Sequence, residues 1–203
     1  MKRMKKFLAG LLAALSVFSI SLGFTACGET SSSSSSSSSS APSQPKGVVY
    51  EIVDGTAQVV DYDGTETSVT IQATYDGVAV TKIGDNAFKG CTSLTEIVIP
   101  DSVTVIGRSA FEDCSGFREF VIPDSVTSIG MSAFCNCTSM TSVTISSGVK
   151  SIGDGAFDFS TALKNITFMG TKAQWNKIDI ADSWLTQVQL VEKVVCTDGD
   201  VAL

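Results

Sequence analysis

The apolar residues of this chain recur on a fixed beat. From position 80 to position 171, four copies of 23 residues follow one another without a gap: VTKIGDNAFKGCTSLTEIVIPDS, VTVIGRSAFEDCSGFREFVIPDS, VTSIGMSAFCNCTSMTSVTISSG and VKSIGDGAFDFSTALKNITFMGT. Each copy gathers its apolar positions into two short segments. The first runs Val-x-x-Ile-Gly and then Ala-Phe, as in Val103, Ile106, Gly107, Ala110 and Phe111. The second is Leu94, Ile97 and Ile99 in the first copy and Phe117, Phe120 and Ile122 in the next. Met140, Val143 and Ile145 follow, then Leu163, Ile166 and Phe168. Alternation across Ile97-Val98-Ile99 predicts a half-buried strand. Pro100 and Pro123 close such strands, where a missing N–H costs least. The Ala-Phe segment is too short for a long helix and predicts a single helical or 3₁₀ turn.

A fixed period of this length predicts a solenoid, in which each unit contacts only its neighbours. The fold class expected is mainly β with short helical turns. The period continues more weakly outside the four copies. Upstream, Val69 and Ile71 take the strand position, and Ala73-Thr74-Tyr75-Asp76-Gly77 stretches the spacing from Ile71 to Ile99 to 28. Downstream, Leu185, Val188 and Leu190 repeat the pattern 22 residues after Phe168. Six ladder strands are therefore expected, the outer two in atypical repeats.

An open solenoid end exposes a strand edge, so caps are expected on both sides. Positions 48–53, 57–62 and 67–71 are strand-like and separated by Asp54-Gly55 and Asp63-Gly64, which are hairpin signals. Positions 172–178 predict a short helix carrying Trp175, and 194–203 a hairpin turning at Asp198-Gly199. Trp175 and Trp184 are read as cap packing. The domain organisation expected is a signal at 1–26, a Ser-rich tether at 27–47, and an N-terminal cap with an atypical first repeat at 48–79. Four regular repeats then occupy 80–171, and a last atypical repeat with its cap occupies 172–203.

The segment Ile-Gly-x-x-Ala-Phe followed by Cys-x-x-Leu-x-x-Ile-x-Ile-Pro resembles the leucine-rich repeat of the bacterial BspA-like surface type. The resemblance covers the four consecutive copies, nearly half of the chain. It implies a right-handed solenoid with a strand ladder on one face. It also implies a role in adhesion or surface recognition, with extracellular proteins as partners. The function expected is non-catalytic binding, with envelope proteins or glycans as the alternative partners.

The N-terminal segment bears on location. Lys2, Arg3, Lys5 and Lys6 precede an apolar run from Phe7 to Phe24, and Thr25-Ala26-Cys27 follows. This resembles a bacterial lipoprotein signal, which implies lipid attachment at Cys27 and an outer-face membrane anchor. Phe24 stands where that signal usually has Leu. Ordinary secretion and an uncleaved span of about 20 residues remain the alternatives. Ser31 to Ser40 is an unbroken serine run, a composition that cannot bury a core. From Ser31 to Gly47, coil statistics give a reach of about 20–25 Å. A spacer that short suits a second function, docking envelope proteins near the membrane, while a linker with no length requirement fits the residues equally.

Charge and chemistry narrow the classes further. Without residues 1–26 the chain keeps 10 Lys/Arg against 21 Asp/Glu, which disfavours nucleic acid as a partner. The sequence has no histidine, which removes Ser-His-Asp and Cys-His nucleophile systems and the commonest metal ligand. No cofactor or metal is expected. Cys91, Cys114 and Cys137 recur at the repeat spacing with Ser160 in the fourth place, and are read as small residues packed at a turn. Asp61-Tyr62-Asp63-Gly64 and Asp198-Gly199-Asp200 lack the bidentate acid of a calcium loop and are read as turns. Glu96 and Glu119 occupy matching positions and are expected about 5 Å apart. Any ladder residue acquires such a neighbour, so the pair is not read as catalytic.

The outward ladder positions form the candidate binding surface: Glu96, Val98, Glu119, Val121, Ser142, Thr144, Asn165 and Thr167. Thr70 and Gln189 extend one column of this surface, and Ser68 and Gln187 extend the other. The surface carries no Trp, Tyr or Arg, so neither a hot spot nor a sugar-stacking platform stands out.

Overall fold

The computed structural model describes residues 47–203; the signal, Cys27 and the serine tract lie outside the described residues. The chain order begins with β1 (Val48–Val53), β2 (Thr56–Tyr62), β3 (Ser68–Thr70), β4 (Thr74–Tyr75) and β5 (Val78–Ile83). The regular turns carry β6 (Glu96–Val98), β7 (Val105–Ile106), β8 (Glu119–Ile122), β9 (Ser128–Ile129), β10 (Ser142–Ile145), β11 (Ser151–Ile152) and β12 (Asn165–Phe168). The C-terminal part adds α1 (Lys172–Trp175), β13 (Asp179–Ile180), β14 (Lys193–Cys196) and β15 (Gly199–Ala202).

These strands build a solenoid with two ladders. The Val-x-x-Ile-Gly segments form one of them, in the order β1-β2-β5-β7-β9-β11-β13, parallel from β2 onward. The Ile-x-Ile segments form the other, which has a gap. Strands β3 and β6 pair as one two-stranded sheet, and β15-β14-β12-β10-β8 form a separate five-stranded sheet. The Ala-Phe segments make turns between the ladders, as expected, without extending into helix.

Glycine makes the first ladder close. A Cβ on Gly130 would stand 2.6 Å from the carbonyl carbon of Gly107, and one on Gly153 would stand 2.5 Å from Met131 N. Both contacts are with backbone, so no larger residue can sit after the ladder isoleucine without prising the turns apart. Beside this seam the phenylalanines stack. Rings 88 and 111, 111 and 134, and 134 and 157 have centroids 5.2, 5.3 and 5.2 Å apart and lie within 13° of parallel. Tyr62 covers one end of this spine, and Trp184 covers the other edge-on. Trp175 packs on Trp184 and on Phe168, so both tryptophans are cap residues, as expected.

The caps follow the hairpin signals in part. β1 and β2 turn at Asp54-Gly55, and β14 and β15 pair antiparallel around Thr197-Asp198. Asp63-Gly64 does not close a hairpin, because β2 continues into a parallel pairing with β5 and β3 crosses to the other ladder. The sixth ladder strand also differs from expectation. Val195, not Gln189, lies beside Thr167, 28 residues on, and Asp179 lies 28 residues after its partner Ser151. The cause is α1, which lengthens the connection from β12 to β13 and so carries both later strands five residues on. Thr171 and Gln174 close a reciprocal capping box on it, and Lys172 N donates to Asp198 Oδ1 at 2.7 Å, fixing the helix to the β14–β15 hairpin. The spacing of 28 from Thr70 to Val98 at the other end is as expected.

Candidate functional site

The ladder face is built by parallel registers that place equivalent residues side by side. Ser68 is beside Glu96 and Thr70 beside Val98. Glu119, Ser142 and Asn165 align in one row, and Val121, Thr144 and Thr167 in the other. The eight predicted residues therefore share a face as two groups: Glu96 and Val98 on β6, and the remaining six on β8, β10 and β12. Val98 and Val121 are 48% and 67% exposed, well above what a packed ladder valine shows, and Val195 extends their row at 41%. Glu96, Glu119 and Asn165 are exposed, whereas Ser142, Thr144 and Thr167 are half-buried. Gln187 and Gln189 lie off this face, for the register reason given above.

Glu96 and Glu119 are not ladder neighbours. Among the described residues no backbone hydrogen bond joins β6 to β8, and a cleft of about 170 Å³ lies there, lined by Glu96, Ile97, Phe117, Glu119, Phe120 and Val121. The side chains explain the opening. Where the first turn has Leu94 and Ile97, the second has Phe117 and Phe120, packed edge to face at 5.1 Å and both buried. Both also pack on Phe111, and Phe120 packs on Phe134 at 4.7 Å. Two rings where the neighbouring turns carry aliphatic chains hold β8 away from β6, and Ile97 is left half-buried.

Cysteine positions resolve into a hydrogen-bonded column. Cys114 Sγ donates to Phe88 O at 3.0 Å and Cys137 Sγ to Phe111 O at 3.2 Å. Ser160 Oγ makes the same bond to Phe134 O at 2.9 Å. All five described cysteines are free. Burial pushes the Cys137 thiol up to about 12. Contact with the Cys91 thiol, and then burial, raise Cys114, and the same contact lowers Cys91 against its own partial burial and the charge of Asp61. Among the described residues there is no cluster of three or more His, Cys, Asp or Glu able to hold a metal, and no helix long and apolar enough to cross a membrane.

One exposed residue escaped the sequence reading. Each turn needs a left-handed residue just before the cysteine column, supplied by Gly90, Asp113 and Asn136 at φ +76°, +63° and +58°. The fourth turn puts Phe159 there at +58°. Gly, Asn and Asp tolerate that conformation and a bulky residue does not. Phe159 is nonetheless 51% exposed and lines a depression of about 400 Å³ with Thr161, Gln187, Gln189 and Leu190, itself 51% exposed. The signal was present in the repeat alignment: a phenylalanine in a column of turn residues.

Two ladders, a phenylalanine spine and a 23-residue beat have counterparts among known proteins. The family profile described as BspA type Leucine rich repeat region matches residues 67–194 in six copies. The chain belongs to that family. A leucine-rich repeat protein from Bacteroides capillosus ATCC 29799 is 32% identical, with a TM-score of 0.55, over 61% of this chain and 95% of that one. The T. pallidum leucine-rich repeat protein TpLRR shares the fold at 23% identity and a TM-score of 0.52, over 74% of this chain and 83% of its own. No curated protein matches the chain.

Proposed function

We propose that this BspA-type protein is a non-catalytic binding module of the bacterial cell surface, held to the membrane through lipid on Cys27. It recognises other proteins through the ladder face formed by Glu96, Val98, Glu119, Val121, Ser142, Thr144, Asn165 and Thr167. The observation that carries this reading is the pair of exposed valines, Val98 and Val121, on the strands flanking the β6–β8 cleft, beside exposed Glu96 and Glu119. Exposed apolar side chains on ordered backbone lose little entropy on docking, and flanking carboxylates select partners that present basic groups. Repeat modules of this family serve as interaction surfaces, and an export signal ahead of a short tether is consistent with an extracytoplasmic location.

The test is a pull-down of the exported protein against host matrix proteins, cell-wall glycan and the cell's own envelope fraction. The expectation is retention of a protein that is lost when Val98→Arg and Val121→Arg are combined. Retention unchanged in that double variant rejects the ladder face. Mass spectrometry of the mature N-terminus checks for lipid on Cys27.

A second reading, glycan capture, is supported by the Phe159 depression, where an exposed ring faces the neutral side chains of Thr161, Gln187 and Gln189. Retention on cell-wall glycan that Phe159→Asn abolishes and the valine variants spare would favour it over protein recognition.

A further inference from the structure

The cysteine column is closed to solvent along most of its length and open at one end. Cys114 and Cys137 are fully buried, but Cys91 is half-buried and lines a pocket of about 260 Å³ with Tyr62, Asp63, Glu66 and Lys89. The opening exists because the turn before Cys91 is the atypical first one, which supplies Tyr62 and the 63–66 segment instead of another cysteine turn. Cys91 and Cys114 are equivalent residues of adjacent turns, each three positions after a spine phenylalanine. The two rings, Phe88 and Phe111, are 5.2 Å apart. Both cysteines reach the same carbonyl: Phe88 O accepts from Cys91 N at 3.2 Å and from Cys114 Sγ at 3.0 Å. Adjacent turns at this spacing fall within the Cα separation of about 4.4–6.8 Å that a disulfide spans.

We propose that Cys91 and Cys114 are a redox-active thiol pair, oxidised through the pocket to an intramolecular disulfide by small disulfide compounds, preferentially cationic ones. Cys91 gives up its proton to solvent, and its sulfur attacks the S–S bond of the small disulfide. A mixed disulfide forms on Cys91, and one small thiolate leaves. Cys114 then passes its proton to that thiolate, and its sulfur attacks the Cys91 sulfur. The bond to the second small thiol breaks, and that thiol leaves after taking up a proton from solvent. Two protein thiols are oxidised and one small disulfide is reduced to two thiols. Cys137 takes no part, since it lies one turn further than Cys114 from the pocket that opens at Cys91.

The preference for cationic reagents follows from the pocket. Asp63 lines it, the charge of Asp61 reaches Cys91, and the ammonium of Lys89 is engaged by Glu112 at 2.9 Å. The bridge would tie the turn carrying β6 to the turn carrying β8, the two that the ladder leaves unpaired. This inference does not depend on what the ladder face binds.

The experiment uses the full-length protein, reduced and freed of reductant, then exposed to cystamine or to oxidised glutathione and quenched with acid. Peptide mapping should recover a Cys91–Cys114 cross-linked peptide, forming at least about tenfold faster with cystamine than with the anionic glutathione disulfide. Cys114→Ser should stop at a mixed disulfide on Cys91, and Cys91→Ser should give no bridge to Cys114. Serine is a sound replacement, because Ser160 already makes the column's hydrogen bond in the fourth turn. Matching thermal melts of the reduced variants and the wild type confirm that they fold. A Cys91 that stays unreacted, a mixed disulfide persisting beside a free Cys114, or a Cys114–Cys137 bridge forming as fast would each overturn the thiol pair. Equal rates with the two reagents would overturn the charge preference.

Discussion

The two ladders of this solenoid are made by the same turns, yet one runs unbroken from β1 to β13 and the other parts between β6 and β8. On the unbroken side each turn contributes nearly identical residues: isoleucine, glycine, alanine and phenylalanine recur without substitution in all four regular copies. On the parted side the inward residues change from turn to turn, from Leu94 and Ile97 to Phe117 and Phe120 to Met140 and Val143. Identical residues stack at one spacing, because each unit meets the same shape above and below. A change in side-chain volume between neighbours must be absorbed somewhere, and here the strand hydrogen bonds absorb it. The continuous side therefore holds the stack together, and the variable side shapes the surface.

That contrast can be broken most forcefully at the glycine seam. Gly130→Val would drive a side chain into the backbone of Gly107, and a loss of more than about 4 kcal/mol is expected, enough to abolish the cooperative melt seen by circular dichroism. A melt unchanged from wild type would show that the seam is not what closes the first ladder. Phe111→Ala removes a ring stacked on both sides and touching Phe117 and Phe120, with an expected loss of about 3–5 kcal/mol in denaturant titration.

Raising the pH tests the buried thiol column. Burial pushes the folded Cys137 thiol up to about 12, above its unfolded value, so its contribution is complete below the unfolded value. It is lost progressively as pH climbs toward 12, because the unfolded chain then binds fewer protons than the folded one. Cys137→Ser should make this alkaline decline shallower while leaving the share that Cys114 contributes, as read from melting temperature against pH.

On the variable side, Phe117→Leu combined with Phe120→Ile gives the second turn the residues of the first. The expected outcome is closure of the ladder, seen as slower amide exchange across 95–98 and 118–121, with a small net change in stability as lost ring packing offsets gained strand pairing. Unaltered exchange would show that ring volume is not what holds β6 and β8 apart. The smallest effect is at Phe159. Replacing it with Asn restores a residue suited to φ +58° and should raise stability by roughly 0.5–1 kcal/mol, whatever it does to binding.

Much of this was legible in the chain. The period, the inward columns, the tryptophan caps and the two outermost hairpins follow from residue type and spacing. The 28-residue first spacing was visible because a turn signal, Asp76-Gly77, stood inside it. Its C-terminal counterpart was not, because Leu185, Val188 and Leu190 imitate the strand pattern. Only the docking of α1 onto Asp198 shows that the ladder resumes at Lys193. Among the candidate site residues, the rows containing Val98 and Val121 were readable from alternation alone, while the gap between them was not.

The sequence by itself determined that this protein is a stack, what lies inside it and which side chains face outward, because each of those depends on local periodicity repeated in register. Only the tertiary structure decided where one ladder opens, how the last turn is offset, and that Cys91 alone of its column meets solvent. Those outcomes depend on the volume and identity of residues 23 or 28 positions away, brought into contact only when one turn lies on the next.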